Sequence, residues 1–241
     1  MTGPHDSAGY TGFAPPDPAA AARLAAAVAA ELGGRYAVGG YLGRGAYATV
    51  WRALDRVTKQ PVAAKRFEGP VQTPQGFYRE VRALFRLAHP RVVRLVNLME
   101  PAGGPRYLIL EFCPGGSLRG HLSRARRAGL RCPPARAAEI GRQLADGLAA
   151  AAGQGFAHRD LKPENVLFDA AAPGPFGGGA GVKLADFGLA RALRPAPDGA
   201  LPSVSGSPAY MAPEQFAGAA HAATDRYALG VILFELLHGR T

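Results

Sequence analysis

His158-Arg159-Asp160-Leu161-Lys162-Pro163-Glu164-Asn165 is the stretch on which the reading of this chain turns. It sets a carboxylate, an ammonium and a carboxamide in one short loop, on Asp160, Lys162 and Asn165. Moving a phosphoryl group onto a hydroxyl calls for those types. A carboxylate orients the hydroxyl and takes its proton, a cation sits beside the phosphate, and an oxygen ligand holds Mg2+. Asp186-Phe187-Gly188 follows the next apolar segment and offers a second metal carboxylate. Hard oxygen donors suit Mg2+, whose other ligands are then phosphates and water.

Upstream of this loop, Gly43-Arg44-Gly45 lies between two strand-like stretches, with Val50 beyond. Glycines there let a backbone fold tightly and turn N–H groups toward phosphates. By itself such a turn is also what any Gly-rich hairpin has. Its strand–turn–strand setting disfavours a dinucleotide fingerprint, which needs a strand–turn–helix. Lys65 sits in the next apolar strand, Val62-Ala63-Ala64-Lys65, and Glu80 in the helix after it. A lysine that reaches phosphates works better when a carboxylate fixes its direction; the plain alternative is a surface ion pair. The lysines are Lys59, Lys65, Lys162 and Lys183, in a chain that otherwise uses arginine. An ammonium kept against that bias suggests a position needing a compact charge.

Around these motifs the periodicity changes twice. Residues 1–35 read as a flexible, Ala- and Pro-rich tail, with a run of strong helix formers whose alanines offer little to bury. From Tyr36 to Glu111 the alternation predicts strands around one helix, with Phe77, Val81, Leu84 and Ala88 at helical spacing. Beyond it helices dominate, the second opened by prolines. The Gly-rich segment 170–180 reads as a flexible surface insertion, and residues 224–240 as an apolar helix suited to burial. The fold class is α+β.

This ordered set of motifs resembles the eukaryotic protein kinase domain, from about Tyr36 to Thr241. The resemblance implies a two-lobed fold: a small β-rich N-lobe with one helix (36–111) and a larger helical C-lobe (112–241). It implies ATP and Mg2+ as cofactors. Leu42, Gly43, Gly45 and Val50 would form the lid over ATP, with Ala63, Val50 and Leu167 against the adenine. Glu111 to Cys113 would be the hinge, with Leu110 behind it. Lys65 would pair with Glu80, Asp160 would be the catalytic base, and Lys162 would meet the γ-phosphate. Asn165 and Asp186 would bind metal. Asp225 would anchor the catalytic loop, and Ser207, ahead of Ala212-Pro213-Glu214, would meet Asp160 and Lys162. Leu84, Leu95, His158 and Phe187 would stack as a spine. Lys162 in LKPEN resembles the serine/threonine kinases, so the substrates would be Ser/Thr hydroxyls of proteins. Arg159 implies a phosphate on the activation segment, where Ser203 and Ser205 both lie, and Ser203, which matches the usual position better, is the candidate activation-loop phosphosite. More narrowly, Ala48 in GRGAYATV, with YLILEFCPGGSL and GSPAYMAPE, resembles the autophagy-initiating (ULK) kinases, which implies autophagy scaffold proteins as partners.

Composition sets the remaining bounds. The 241 residues carry a formal net charge of +10, but the arginines are scattered. The densest stretch, Arg119, Arg124, Arg126, Arg127, Arg131 and Arg136, has no interleaved aromatics to stack on bases and reads as a solvated helix face. No specific nucleic-acid partner is expected. Two cysteines, no signal-like start and no long apolar run predict a cytoplasmic chain without a transmembrane segment. The end at Thr241 suggests a C-lobe lacking its last helices. The rival to a working enzyme is a pseudokinase or truncated non-catalytic scaffold fragment; the five catalytic groups Lys65, Glu80, Asp160, Asn165 and Asp186 speak against it.

Overall fold

The computed structural model describes residues 17–45, 48–67, 74–172, 174–187, 191–192, 207–216 and 222–240. It divides into two compact units, Met1–Gln75 with Arg94–Phe112, and Gly76–Val93 with Cys113–Thr241.

The first unit is an antiparallel sheet with a helix on one face. Strands β1 (Tyr36–Arg44), β2 (Ala48–Asp55), β3 (Pro61–Phe67), β4 (Leu95–Met99) and β5 (Tyr107–Glu111) lie in the order β1-β2-β3-β5-β4. Helix α1 (Pro18–Glu31) precedes them. Asp17 starts it by accepting the N–H groups of Ala19 and Ala20 at 2.8 and 3.1 Å, and a proline fills the first turn. Val28 and Leu32, each 1% exposed, then enter one core with Tyr36, Trp51, Ala53, Val62, Ala64, Tyr107 and Ile109.

That finding corrects the expectation of a flexible tail over its described part. The alanines contribute little, but two aliphatic side chains one helical turn apart suffice to seat the helix. Glu31 adds a polar anchor, accepting from Arg66 Nε at 2.8 Å and Nη2 at 2.9 Å and from the Tyr107 hydroxyl. Arg35 grips Asp55 in a fork at 3.2 and 2.8 Å, and those bonds hold the Asp55 carboxyl well below the usual carboxylate range.

The second unit is mainly helical: α2 (Pro74–Arg86), α3 (Leu118–Arg127), α4 (Pro134–Gly153), α5 (Pro213–Phe216) and α6 (Ala222–His238). From Gly76 onward α2 groups with this unit rather than with the strands. Short ladders β6 (Phe156–Ala157) with β9 (Arg191–Ala192), and β7 (Val166–Phe168) with β8 (Val182–Leu184), frame the loop that carries Asp160. α4 packs close to β8 because Gly147 has no side chain; a Cβ there would lie 2.9 Å from Leu184 Cδ1 and 3.0 Å from Arg91 O. The Gly-rich insertion between β7 and β8 is not all surface. Phe176 is 1% exposed, and Arg136 donates to Phe176 O and Ala180 O at 3.1 and 2.6 Å. One aromatic among the glycines anchors what composition alone predicts to be loose. On α6, Ile232 and Leu236 are buried, while Tyr227, Phe234 and Leu237 are exposed.

Candidate active site

The loop after β6 is built on a buried carboxylate. Asp225, in the first turn of α6, accepts the N–H of His158 at 2.7 Å and that of Arg159 at 2.8 Å. The ring of His158 donates from Nε2 to Ala185 O at 2.9 Å and accepts the Asp160 N–H at Nδ1, 3.4 Å away. Together those two bonds place its proton on Nε2. The same ring lies 4.7 Å from that of Phe187. Gln215 closes the frame, donating to Arg159 O at 3.0 Å.

Arg159 and Asp186 have φ of +68° and +62°. Neither is glycine, and such a backbone costs on the order of 1–3 kcal/mol per residue, tolerated only where the surroundings over-determine it. Arg159 directly precedes Asp160, and Ala185, just before Asp186, donates its N–H to Asn165 O at 2.8 Å.

On this frame the polar groups converge. Lys162 Nζ lies 2.7 Å from Asp160 Oδ2 and 2.9 Å from Ser207 Oγ. Ser207 in turn donates to Asp160 Oδ1 at 3.0 Å. Asn165 Nδ2 donates to Asp160 O at 2.8 Å, which turns its carboxamide oxygen away from that bond. A serine hydroxyl is thus held between a carboxylate able to take its proton and an ammonium able to meet an anion. Asn165 and the exposed carboxylate of Asp186 are hard oxygen donors. Among the described residues no group of three or more His, Cys, Asp or Glu could cage a metal. Two oxygen donors, on Asn165 and Asp186, are a set that fits an ion taking its other ligands from phosphates and water, as Mg2+ does. Leu167 and Cys113 are buried in this unit, at 5% and 1% exposure.

The remaining sequence-derived residues lie on the first unit. Val50 pairs with Lys65, and Ala63 with Leu110, across neighbouring strands, so these side chains share the sheet face opposite α1. Lys65 is 8% exposed, with Nζ 5.0 Å from the Phe67 ring centroid. Leu42 is 9% exposed, Gly43 pairs with Val50, and Gly45 N donates to Ala48 O at 2.8 Å. Glu111 exchanges backbone and side-chain bonds with Arg94 at 3.0 and 2.8 Å. The side chain of Glu80 and the whole of Ser203 and Gly188 lie outside the described residues.

Arg119 is the residue that sequence reasoning misplaced. It is no part of a solvated face. It bonds Glu164 at 2.8 Å and Glu235 at 2.5 Å, and also reaches the Tyr210 hydroxyl, which donates to Glu235 at 2.6 Å. One guanidinium thereby ties α3 to the catalytic-type loop, the segment before α5, and α6. Its partners lie 45, 91 and 116 residues away, beyond any local pattern.

A buried carboxylate under an Asp–Lys–Asn loop is the arrangement that the protein kinase class is built on. The protein kinase domain family matches residues 36–241, and the chain belongs to that family. It is 35% identical over 215 residues to the serine/threonine-protein kinase ATG1a of Arabidopsis thaliana, covering 88% of this chain and 32% of that protein. It is 38% identical over 219 residues to the serine/threonine-protein kinase PkaB of Streptomyces coelicolor, covering 89% and 51%. To PknL of Mycobacterium tuberculosis it is 36% identical over 217 residues, covering 88% and 51%. The chain thus spans between about a third and a half of the length of these relatives.

Proposed function

We propose that this chain transfers the γ-phosphate of ATP to Ser or Thr hydroxyls of protein substrates. The observation that carries this reading is the serine hydroxyl held between Asp160 Oδ1 at 3.0 Å and Lys162 Nζ at 2.9 Å. A substrate hydroxyl in that place would give its proton to Asp160 as its oxygen attacks the γ-phosphorus, and ADP would leave. Lys162 would offset charge on the transferring group, and Lys65 would hold the α- and β-phosphates, directed by Glu80. Leu42, Gly43, Gly45, Val50, Ala63, Glu111, Cys113 and Leu167 are the groups we assign to the nucleotide. Asn165 and Asp186 would hold Mg2+, which supplies neutralisation of phosphate charge. Ser203 remains our candidate phosphosite, and a cytoplasmic location our reading of a chain with two free cysteines. Among the described residues no helix is long and apolar enough to cross a membrane.

Autophagy initiation, with scaffold proteins as partners, is supported by the likeness to ATG1a and by Ala48 in the glycine turn. The Streptomyces kinase is 38% identical against 35% for ATG1a, so the reading we stand on is the coarser one, a protein serine/threonine kinase.

The test is transfer of labelled γ-phosphate from Mg-ATP to a Ser/Thr peptide mixture, beside thermal melts with and without Mg-ATP. Binding at a hundred times the dissociation constant stabilises by about 2.7 kcal/mol, and Lys65→Met should lose that shift. Asp160→Asn should keep the shift and lose transfer by about 10²–10⁴-fold. A wild-type chain that shifts with Mg-ATP and transfers nothing would be a pseudokinase.

A further inference from the structure

The family match begins at residue 36, but the sheet that carries Lys65 is completed by a helix lying before that point. β3 alternates: Val62 and Ala64 join the core under α1, Arg66 bonds Glu31 on the same side, and Ala63 and Lys65 occupy the other side. Arg66 and Tyr107 are direct partners across β3 and β5. Both bond the carboxylate of Glu31, the last residue of α1. One side chain therefore ties α1 to two adjacent strands at a single rung. The next rung, Lys65 with Leu108, is one residue along.

We propose that α1 is a working part of the lysine strand and that Glu31 is a positioning residue for Lys65, acting through Arg66 and Tyr107. This rests on the reading of Lys65 as a nucleotide-binding lysine given above. A 14-residue, alanine-rich helix has little stability of its own. It holds its place through Val28, Leu32 and this carboxylate. The pair is neither fully exposed nor sealed, at 21% and 25% side-chain exposure, so its loss is felt without stripping the core. Adjacent residues of a strand share one backbone, so a β3 released at Arg66 loses definition at Lys65. The effect is specific to nucleotide, because among the described residues Glu31 bonds Arg66 and Tyr107, both on the strands that carry Lys65 and its neighbours.

The experiment uses the full chain and Mg-ATP. Glu31→Gln should raise the KM and Kd for Mg-ATP about threefold to tenfold. It should leave the peptide KM and the kcat at saturating ATP within about twofold. Tyr107→Phe, which removes only a hydroxyl, should move the same constants in the same direction by less. The reversed pair Glu31→Arg with Arg66→Glu should recover affinity that either single reversal loses. Unchanged Mg-ATP affinity in folded Glu31→Gln overturns the positioning role and leaves the kinase reading intact. So does a loss that spreads equally to the peptide KM and is not recovered by the reversed pair. A wild-type chain that fails to bind Mg-ATP overturns both.

Discussion

Asp225 accepts two backbone N–H groups, and both belong to residues immediately before Asp160. The carboxylate is 5% exposed, so neither N–H has water as a substitute. An anionic acceptor makes each bond stronger than a neutral one. Asp225→Asn can offer only one oxygen and puts an N–H against a donor. It should lower unfolding free energy by about 1–3 kcal/mol in a denaturant titration, and transfer by more than tenfold, because the loop holding Asp160 loses its register. Arg119 differs in kind, tying elements together rather than shaping one loop. Removing it leaves Glu235, 8% exposed, without its cation. Fully buried pairs cost about 3–5 kcal/mol to break, but Arg119 keeps 27% exposure. Arg119→Ala should therefore cost about 1–3 kcal/mol by the same titration, and Arg119→Lys most of that, since one ammonium cannot fork to three acceptors. The contrast also marks how far a sequence can be read at this scale. Asp160, Lys162 and Asn165 stand within one loop and announce their chemistry by spacing. Arg119 looks like any helix arginine until the fold brings its acids to it.

Among the elements, α1 was least legible and the strands around Lys65 most. Tyr36 to Phe67 alternates apolar and polar residues about a glycine turn, and the sheet follows that pattern. α1 shows only alanines and two larger aliphatics on its buried side, so composition predicts weak docking. The missing information was long-range: Arg66 and Tyr107 stand 35 and 76 residues beyond Glu31. The insertion after β7 escaped for a similar reason, its glycines hiding the one buried ring of Phe176. α1 carries a prediction of its own. The Arg66 hydrogen bond holds the Glu31 carboxyl below its ordinary value of 4.5, with Tyr107 adding to it. Its folded pKa lies under the unfolded one, so the contribution is complete above about pH 4.5 and fades as pH falls through the folded value. Asp55, held low by Arg35, acts in the same direction. Trp51 is the only tryptophan and sits in the core under α1. Its emission should shift to the red on acidification below about pH 4. Glu31→Gln should weaken that acid dependence, with the part owed to Asp55 remaining.

At the scale of the whole chain, two electrostatic effects oppose each other, and salt separates them. Twenty-eight basic residues against eighteen acidic ones give a net charge of +10, and repulsion among them disfavours the compact state. Arg124, Arg126, Arg127 and Arg131 are exposed near the end of α3 and add to it. Opposing this are the ion pairs of Glu31, Asp55, Glu164 and Glu235, whose partly or wholly buried members salt reaches poorly. The Debye length is about 30 Å at 0.01 M salt and about 10 Å at 0.1 M. Raising NaCl across that range therefore screens the dispersed arginines first and leaves the contact pairs nearly intact. The melting temperature should rise, by about 2–4 °C for each 1 kcal/mol of repulsion removed. A fall would mean that the pairs are open to solvent and dominate. The same dispersal predicts only weak, salt-sensitive attraction to nucleic acid, with no stacking to sustain it. Tight DNA binding that persists at 0.2 M salt would contradict the scattered-charge argument.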